Sequence, residues 1–156
     1  MNYWIFKSEG TCYSIDDLRK DKKTSWTGVR NFQARNFMTK DMKVGDLVFF
    51  YHSSGTKDDP TGIYGLAKIV SQAHADETQF DTKDDHFDPK SKKENPTWHC
   101  VEIAFVKKFK EPIALSYIKI DPNLKGIMVA QTGSRLSIQP VSEKHGEYLL
   151  RIAQEQ

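Results

Sequence analysis

The sequence predicts an α+β fold, a small mixed β-barrel with flanking helices. Strand-like segments outnumber helix-like ones, and the helices follow no regular βα alternation, which a doubly wound parallel sheet would need. The 156 residues suit one hydrophobic core, because a single domain commonly takes about 100–200 residues. No repeat or linker divides the chain, so we expect one domain spanning residues 1–156.

Three strands are predicted in the first half of the chain. Each is a run of aromatic and β-branched residues bounded by turn or loop signals, and the three are residues 3–6, 47–51 and 63–70. The second run has the strongest strand signal and follows a Val-Gly-Asp turn. The loop 53–62 connects it to the third, so these two strands are expected to pair antiparallel.

Two helices are predicted between the first and second strands. The first begins at Ser14, an N-cap residue with Asp17 three positions later as in a capping box, and ends near Lys22. The second covers residues 31–40, where apolar side chains recur at helical spacing, although an irregular loop also fits residues 31–40.

The second half of the chain begins with a long polar segment. Residues 71–95 have irregular spacing, and a loop of that length in a compact domain is typically functional or disordered. Residues 98–109 alternate in character and predict a strand with one exposed face. A short helix, a short strand and a C-terminal helix are predicted at 116–120, 136–140 and 142–153.

The composition excludes several classes of protein. No stretch approaches the ~18 consecutive apolar residues of a membrane span, and the first residues lack the layout of a signal peptide. We therefore expect no membrane and a cytoplasmic location, or a nuclear one in a eukaryote. Cys12 and Cys100 form no CxxC pair, which favours free thiols over a disulfide framework or a zinc ribbon.

Charge is distributed unevenly behind a net charge of +2. Residues 19–43 hold eight cations against two anions, and residues 76–88 hold six anions against one cation. Clustered Lys and Arg suit a phosphate backbone, because each neutralised phosphate releases counterions. A solvated basic face is the alternative.

Motifs for catalysis or metal binding are absent. The chain has no GxSxG, HExxH, Walker A or GxGxxG pattern. His99 and Cys100 are neighbours on a predicted strand and point to opposite faces. Residues 84–88 carry oxygen ligands but lack the Gly and terminal Glu of an EF-hand loop. We therefore expect no metal, no cofactor and no enzyme.

The segment from Trp26 to Asn36 is the strongest candidate binding site. It combines an indole with arginine and amide side chains in a polar, Gly-containing context. Trp26 would stack on a base while Arg30 or Arg35 holds phosphate, as in the binding of single-stranded or flipped nucleotides. The alternative, which the residues leave open, is that Trp26 plugs the end of the barrel and both arginines bridge local carboxylates.

These residues resemble the EVE domain family. The central match is Trp-x-Gly-Val-Arg-Asn-x-Gln-Ala-Arg-Asn at 26–36. The matching segments run along the whole chain and are residues 3–9, 13–18, 26–37, 44–46, 50–53, 87–91 and 135–141. The resemblance implies a PUA-like barrel related to YTH and ASCH domains, with a pocket for a modified base in DNA or RNA. In YTH domains the matching Trp belongs to the cage around a methylated adenine, which makes Trp26 the leading cage residue.

Two departures from the family pattern stand out. Gly10 occupies the position where the family usually has Pro, so the exit of the first strand gains flexibility. The acidic segment 76–88 has no counterpart to which a role can be assigned.

The resulting hypothesis is a module that reads a modified base. The base pocket is expected to contain Lys7, Ser8, Glu9, Trp26, Tyr51, Phe80, Gln131 and Ser134. Arg30, Arg35 and Arg135 would take the phosphates, and the motif residues are Gly28, Asn31, Gln33 and Asn36. The carboxylate of Glu9 would accept from the exocyclic amine of cytosine, which favours modified cytosine. A salt bridge to Lys7 or Arg135 is the alternative for Glu9.

Two other function classes remain open. An enzyme acting on modified nucleic acid would use Glu9, His52 or Asp46 as acid or base. A small-ligand or protein-interaction module would be stabilised thermally by free nucleosides or by a partner, but not by oligonucleotides. The partner expected on the first hypothesis is nucleic acid carrying a modified base, bound by a monomer.

Overall fold

A six-stranded sheet curled into a half-barrel organises the structure, a computed structural model that describes residues 1–156. Its strands are β1 (Tyr3–Ser8), β2 (Lys23–Ser25), β3 (Leu47–His52), β4 (Gly62–Ile69), β7 (Glu102–Ala114) and β8 (Ile138–Val141). A separate pair consists of β5 (His74–Ala75) and β6 (His99–Cys100). The order in the large sheet is β2-β7-β4-β3-β1-β8.

Four α-helices flank the sheet, which confirms the α+β class. They are α1 (Ile15–Asp21), α2 (Phe32–Asn36), α3 (Leu115–Ile120) and α4 (Glu143–Gln154). The capping box is confirmed, since Ser14 Oγ accepts from the Asp17 N–H at 3.1 Å and Asp17 Oδ2 accepts from the Ser14 N–H at 2.9 Å. α2 continues into a π-helical turn at Phe37–Asp41. None of these helices has both the length and the apolar character needed to span a bilayer.

β1 and β3 form the parallel pair of a sheet whose other neighbours are antiparallel. Their register runs from Tyr3 opposite Leu47 to Ser8 opposite His52. A parallel pair needs a long crossover, and the segment containing α1, β2 and α2 supplies it. The predicted antiparallel pairing of β3 with β4 is confirmed.

Both faces of the sheet are buried. Side chains alternate along β1 and β3, so each of these strands contributes to both cores. The α1–α2 face contains Trp4 and Phe6 of β1 and Phe50 of β3. The α3–α4 face contains Ile5 of β1 and Tyr51 of β3. A residue on β3 therefore belongs to the opposite core from its immediate neighbours.

The structure differs from the sequence prediction at three places. β2 was not predicted, because its Lys-Thr-Ser sequence has no apolar face, and it pairs with β7 at the sheet edge. β7 continues through Pro112 and past residue 109, where the sequence predicts that the strand ends, because the β4–β7 register shifts there and Pro is tolerated at bulges. The loop 71–95 contains β5 and a 3₁₀ turn at Glu77–Phe80.

Candidate base-binding cleft

A cleft of about 520 Å³ opens where β1 ends. It lies between the end of β1, the segment that leads from β2 to α2, and the loop that follows the 3₁₀ turn at Glu77–Phe80. Its lining includes Lys7, Ser8, Tyr13, Trp26, Arg30 and His86. Three of the eight residues expected in the base pocket are thus brought together: Lys7, Ser8 and Trp26.

Trp26 is half-buried and forms one side of the cleft. Its ring packs on Phe6 with centroids 5.4 Å apart and meets Phe50 edge-on at 5.6 Å. Its backbone N–H donates to the Val101 carbonyl at 2.8 Å, which fixes the segment to the sheet. The indole is therefore anchored to the α1–α2 core and still presents surface to the cleft.

The aromatic walls expected beside Trp26 lie elsewhere. Tyr51 is only 2% exposed and belongs to the α3–α4 core, because it alternates with Phe50 along β3. Phe80 lies outside the cleft with the Lys93 ammonium 5.9 Å from its ring centroid. The flat side chains that do line the cleft are Tyr13 and His86.

Two residues that line the cleft, Tyr13 and His86, were not predicted from the sequence. Tyr13 lies in the segment before α1, and its hydroxyl donates to Asp21 at 2.8 Å. Burial and this hydrogen bond raise the pKa of Tyr13 to about 12, so the phenol stays protonated at neutral pH. The match of Tyr13-Ser14 to the family was the available signal for Tyr13, whereas no local pattern indicated His86.

Lys7 joins the cleft to the loop before β8. Its Nζ donates to the Ser134 carbonyl at 3.3 Å and lies 5.7 Å from the ring centroid of Tyr51. Burial lowers the pKa of this ammonium. Ser134 therefore contacts a residue of the cleft without lining the cleft itself.

Glu9 and Gln131 are exposed and do not line the cleft. The Glu9 carboxylate accepts from the Cys12 thiol at 3.5 Å and forms no salt bridge with Lys7 or Arg135. Gln131 donates to the carbonyl of Ile127 at 3.3 Å. Neither side chain is placed to contact a base in this cleft.

Arg30 lines the cleft, but its hydrogen-bond donors are all engaged within the protein. Its guanidinium uses its five N–H donors on Val29, His86, Thr78 and Asp76, and the Asp76 contact is an ion pair of 3.1 Å. Asp76 is fully buried and belongs to the acidic segment, so this segment anchors the Trp26–Asn36 segment. Burial would raise the pKa of Asp76, but hydrogen bonds from Thr78, Gly28 and Arg30 outweigh it and hold that pKa below its usual range.

Arg35 is also engaged within the protein, whereas Arg135 is exposed. Arg35 donates to the Thr97 carbonyl at 3.0 Å and to the side chain of Asn36, and its guanidinium lies 4.9 Å from the Phe32 ring centroid. Arg135 forms no ion pair and lies next to Ser134. Of the three arginines expected to take phosphates, Arg135 is thus the one with a free guanidinium.

The motif residues shape the segment around Trp26. Gly28 has φ +86° and donates its N–H to Asp76 at 2.8 Å. Asn31 is the N-cap of α2, where its side chain accepts from the Ala34 N–H at 3.0 Å. Asn36 accepts from Arg35, while Gln33 is exposed.

The three acid–base candidates do not share one site. Asp46 is buried immediately before β3 and accepts from the Trp4 indole at 3.0 Å. His52 ends the same strand, and its Nε2 accepts from the Ile15 N–H at 3.1 Å. His52 lines a second cleft of about 620 Å³, whereas Glu9 is exposed. No group of three or more His, Cys, Asp or Glu side chains converges as metal ligands.

Comparison with known proteins gives matches along nearly the whole length of this chain. The chain matches the EVE domain over residues 2–152. Thymocyte nuclear protein 1 from Danio rerio is 41% identical over 97% of this chain and 72% of the relative. A Pseudomonas syringae protein of known structure is 40% identical, with a TM-score of 0.90 and coverage of 97% and 99%.

Two further structures bear on the site and the fold. Human THYN1, in a crystal structure in complex with 5-methylcytosine-containing DNA, is 38% identical, with a TM-score of 0.88 over 100% of this chain and 99% of that chain. An ASCH protein from Zymomonas mobilis is 9% identical with a TM-score of 0.54, which confirms the expected PUA-like fold. The match to the domain over residues 2–152, and to relatives over 97% or more of this chain, shows that this chain belongs to the EVE domain family.

Proposed function

We propose that the cleft binds a modified cytosine turned out of a DNA strand, with the base stacked on Trp26. The observation that carries the proposal is a tryptophan anchored on Phe6 and Phe50 that still lines an open cleft of about 520 Å³. This volume lies within the ~300–1,000 Å³ typical of small-ligand pockets. The human relative's complex with 5-methylcytosine-containing DNA supports modified cytosine as the base.

The energetics assign different parts of the recognition to different groups. Stacking contributes ~1–3 kcal/mol per base, and flipping a base costs a few kcal/mol, so these two terms roughly cancel. One buried methyl group adds about 0.8 kcal/mol, which is only a few-fold preference. Hydrogen bonds to the base edge from the groups around the cleft must supply the remaining selectivity.

We further propose that the protein binds its base without transforming it. The separation of Asp46, His52 and Glu9 supports this, because acid–base catalysis needs its groups within hydrogen-bond reach of one substrate. The exposed Arg135 is the candidate phosphate contact. Arg30 and Arg35 instead stabilise the segment that carries Trp26. A monomer and a cytoplasmic or nuclear location remain part of this proposal.

The test is a titration of labelled oligonucleotides that carry 5-methylcytosine, 5-hydroxymethylcytosine, N6-methyladenine or no modification. We expect 5-methylcytosine to bind more tightly than cytosine, and Trp26→Phe to weaken this binding several-fold, since less stacking area remains. Trp4→Phe is the matched control, because Trp4 lies in the same core but outside the cleft. Equal affinity for all four oligonucleotides would exclude a modified-base reader.

A further inference from the structure

The loop that follows the 3₁₀ turn at Glu77–Phe80 delivers one side chain to the cleft, that of His86. Arg30 holds the His86 carbonyl with Nε at 3.0 Å and Nη2 at 2.8 Å. Asp84 Oδ1 accepts from the His86 N–H at 2.8 Å and lies 3.0 Å from the ring Nδ1. The backbone and the ring of His86 are therefore both held in place, although the side chain is 48% exposed.

Asp84 also determines which ring nitrogen of His86 carries the proton. A carboxylate can only accept a hydrogen bond, so the Nδ1 that faces it must be the donor. In the neutral ring, Nε2 then keeps its lone pair and acts as an acceptor. Nε2 has no hydrogen-bond partner within the protein, and a Cβ added at Gly28 would come within 2.8 Å of it.

An acceptor at this position matches one class of base. Cytosine and its 5-modified forms carry an exocyclic amine, which is a donor, whereas thymine carries a carbonyl oxygen there. Glu9, the acceptor expected from the sequence, lies outside the cleft. His86, which lies within the acidic segment 76–88, offers the same hydrogen-bonding function.

Building on the proposed function, we propose that Nε2 of His86 accepts a hydrogen bond from the exocyclic amine of the bound base. His86 is then a specificity-determining residue that separates 5-methylcytosine from thymine, which has the same methyl group. Asp84 is a positioning residue that acts through the tautomer of the ring. Arg30 is a second positioning residue that acts through the His86 carbonyl.

The test compares 5-methylcytosine with 5-methyl-2-pyrimidinone, which lacks only the amine, at one position of the same oligonucleotide. Titrations are run at about pH 8, above the range in which imidazole side chains ordinarily take up a proton. We expect the wild-type protein to bind 5-methylcytosine about fivefold to tenfold more tightly, since the base without the amine leaves the acceptor unpaired. His86→Phe keeps a flat ring and should bring this ratio close to one.

Further variants separate the possible outcomes. His145→Phe on α4 is the matched control and should keep the wild-type ratio. Asp84→Ala should lower the ratio, whereas Asp84→Asn keeps an oxygen that accepts from Nδ1 and should restore it. Melting temperatures confirm that each variant is folded.

One result would contradict the role of His86, and a different result would contradict the proposed function. If His86→Phe keeps the wild-type ratio between the two modified bases, the role of His86 is overturned while the proposed function stands. If the wild-type protein binds 5-methylcytosine no better than cytosine, the proposed function itself fails.

Discussion

Cys12 allows the cleft to be labelled with a thiol reagent. It is exposed and lines the cleft, whereas Cys100 is buried. Burial raises the pKa of the Cys100 thiol to about 12, so this thiol is unreactive at neutral pH. A thiol reagent should therefore label one residue, and that residue lies beside the proposed base.

Labelling Cys12 with a bulky maleimide should weaken oligonucleotide binding at least about tenfold, because the adduct fills space that a base needs. Affinity before and after labelling is measured by fluorescence anisotropy. Cys12→Ser is the control, and its affinity should not change on treatment. Undiminished binding by the labelled wild-type protein would move the base to another surface, such as the cleft beside His52.

Gly28 is constrained both by its backbone and by its neighbour. Its φ of +86° is unfavourable for other residues, and a Cβ would come within 2.8 Å of His86. Gly28→Ala should therefore cost about 1–3 kcal/mol for the backbone, with an added cost for displacing His86. Urea denaturation measures the free energy of unfolding.

The matched control for this substitution is Gly126→Ala. Gly126 has a similar φ of +89° but nothing within 4 Å of an added Cβ, so it reports the backbone cost alone. The difference between the two variants is the cost of the contact with His86. Equal losses would show that the His86 ring moves away freely.

The cleft could be predicted from the sequence only in part. Lys7, Ser8 and Trp26 were found, because each lies in a motif with a strand or a polar turn beside it. Tyr51 was misplaced because the register of β3 was unknown, and a shift of one residue moves a side chain to the other face. His86 could not be located, since no local pattern indicates that a polar loop returns about 60 residues later to Trp26.

At the scale of elements, one buried amide organises the segment between β5 and β6. Gln79 is fully buried, and its Oε1 accepts from the Ser91 hydroxyl at 2.6 Å and the Trp98 N–H at 2.9 Å. Its Nε2 donates to the carbonyls of Asp76 at 2.7 Å and Trp98 at 2.8 Å. The long polar segment is therefore ordered around a side chain rather than around an apolar core.

Gln79→Leu should destabilise this segment more than the sheet. The substitution keeps the size of the side chain but leaves the buried Trp98 N–H without a partner and removes one hydrogen bond each from the Ser91 hydroxyl and the carbonyls of Asp76 and Trp98, so we expect a loss of about 2 kcal/mol. Hydrogen exchange of the Trp98 amide should accelerate strongly, while amides of β3 change less. Gln154→Leu, at an exposed position of α4, is the control. Equal acceleration throughout the sheet would contradict the local role of Gln79.

The elements themselves were predicted where their patterns were strong. β3 and β4 were found with nearly correct ends, because each is a long apolar run beside a turn. β2 has three residues and no apolar face, so only its pairing with β7 makes it a strand. The extension of β7 past Pro112 depends on the bulges in its pairing with β4, which the sequence does not show.

At the scale of the whole molecule, the basic and acidic segments neutralise each other in part. The ion pair of Arg30 with Asp76 joins the two segments, and Arg35 is engaged by Thr97 and Asn36. Lys7 and Arg30, the two cationic side chains that line the cleft, both have hydrogen-bond partners within the protein. Nucleic-acid binding should accordingly depend on a small number of phosphate contacts.

Arg135→Ala should weaken binding to modified and unmodified oligonucleotides by similar factors, because a phosphate contact does not read the base. The slope of log affinity against log salt should become shallower by about 0.9 for duplex DNA. Affinity is measured across a series of salt concentrations. Lys144→Ala on α4 is the control. A change in preference among bases would assign Arg135 to the base rather than to phosphate.

The position of β1 in the sheet has a consequence for synthesis. β1 lies between β3 and β8, and its pairing with β8 joins Tyr3 to Val141. At about 5–20 residues per second, a ribosome exposes β1 for on the order of ten seconds before β8 emerges. During that time one edge of an apolar strand is unpaired and prone to aggregation. Since Ser137 and Lys7 both line the cleft, the binding site is completed only after the residues just before β8 have been synthesised.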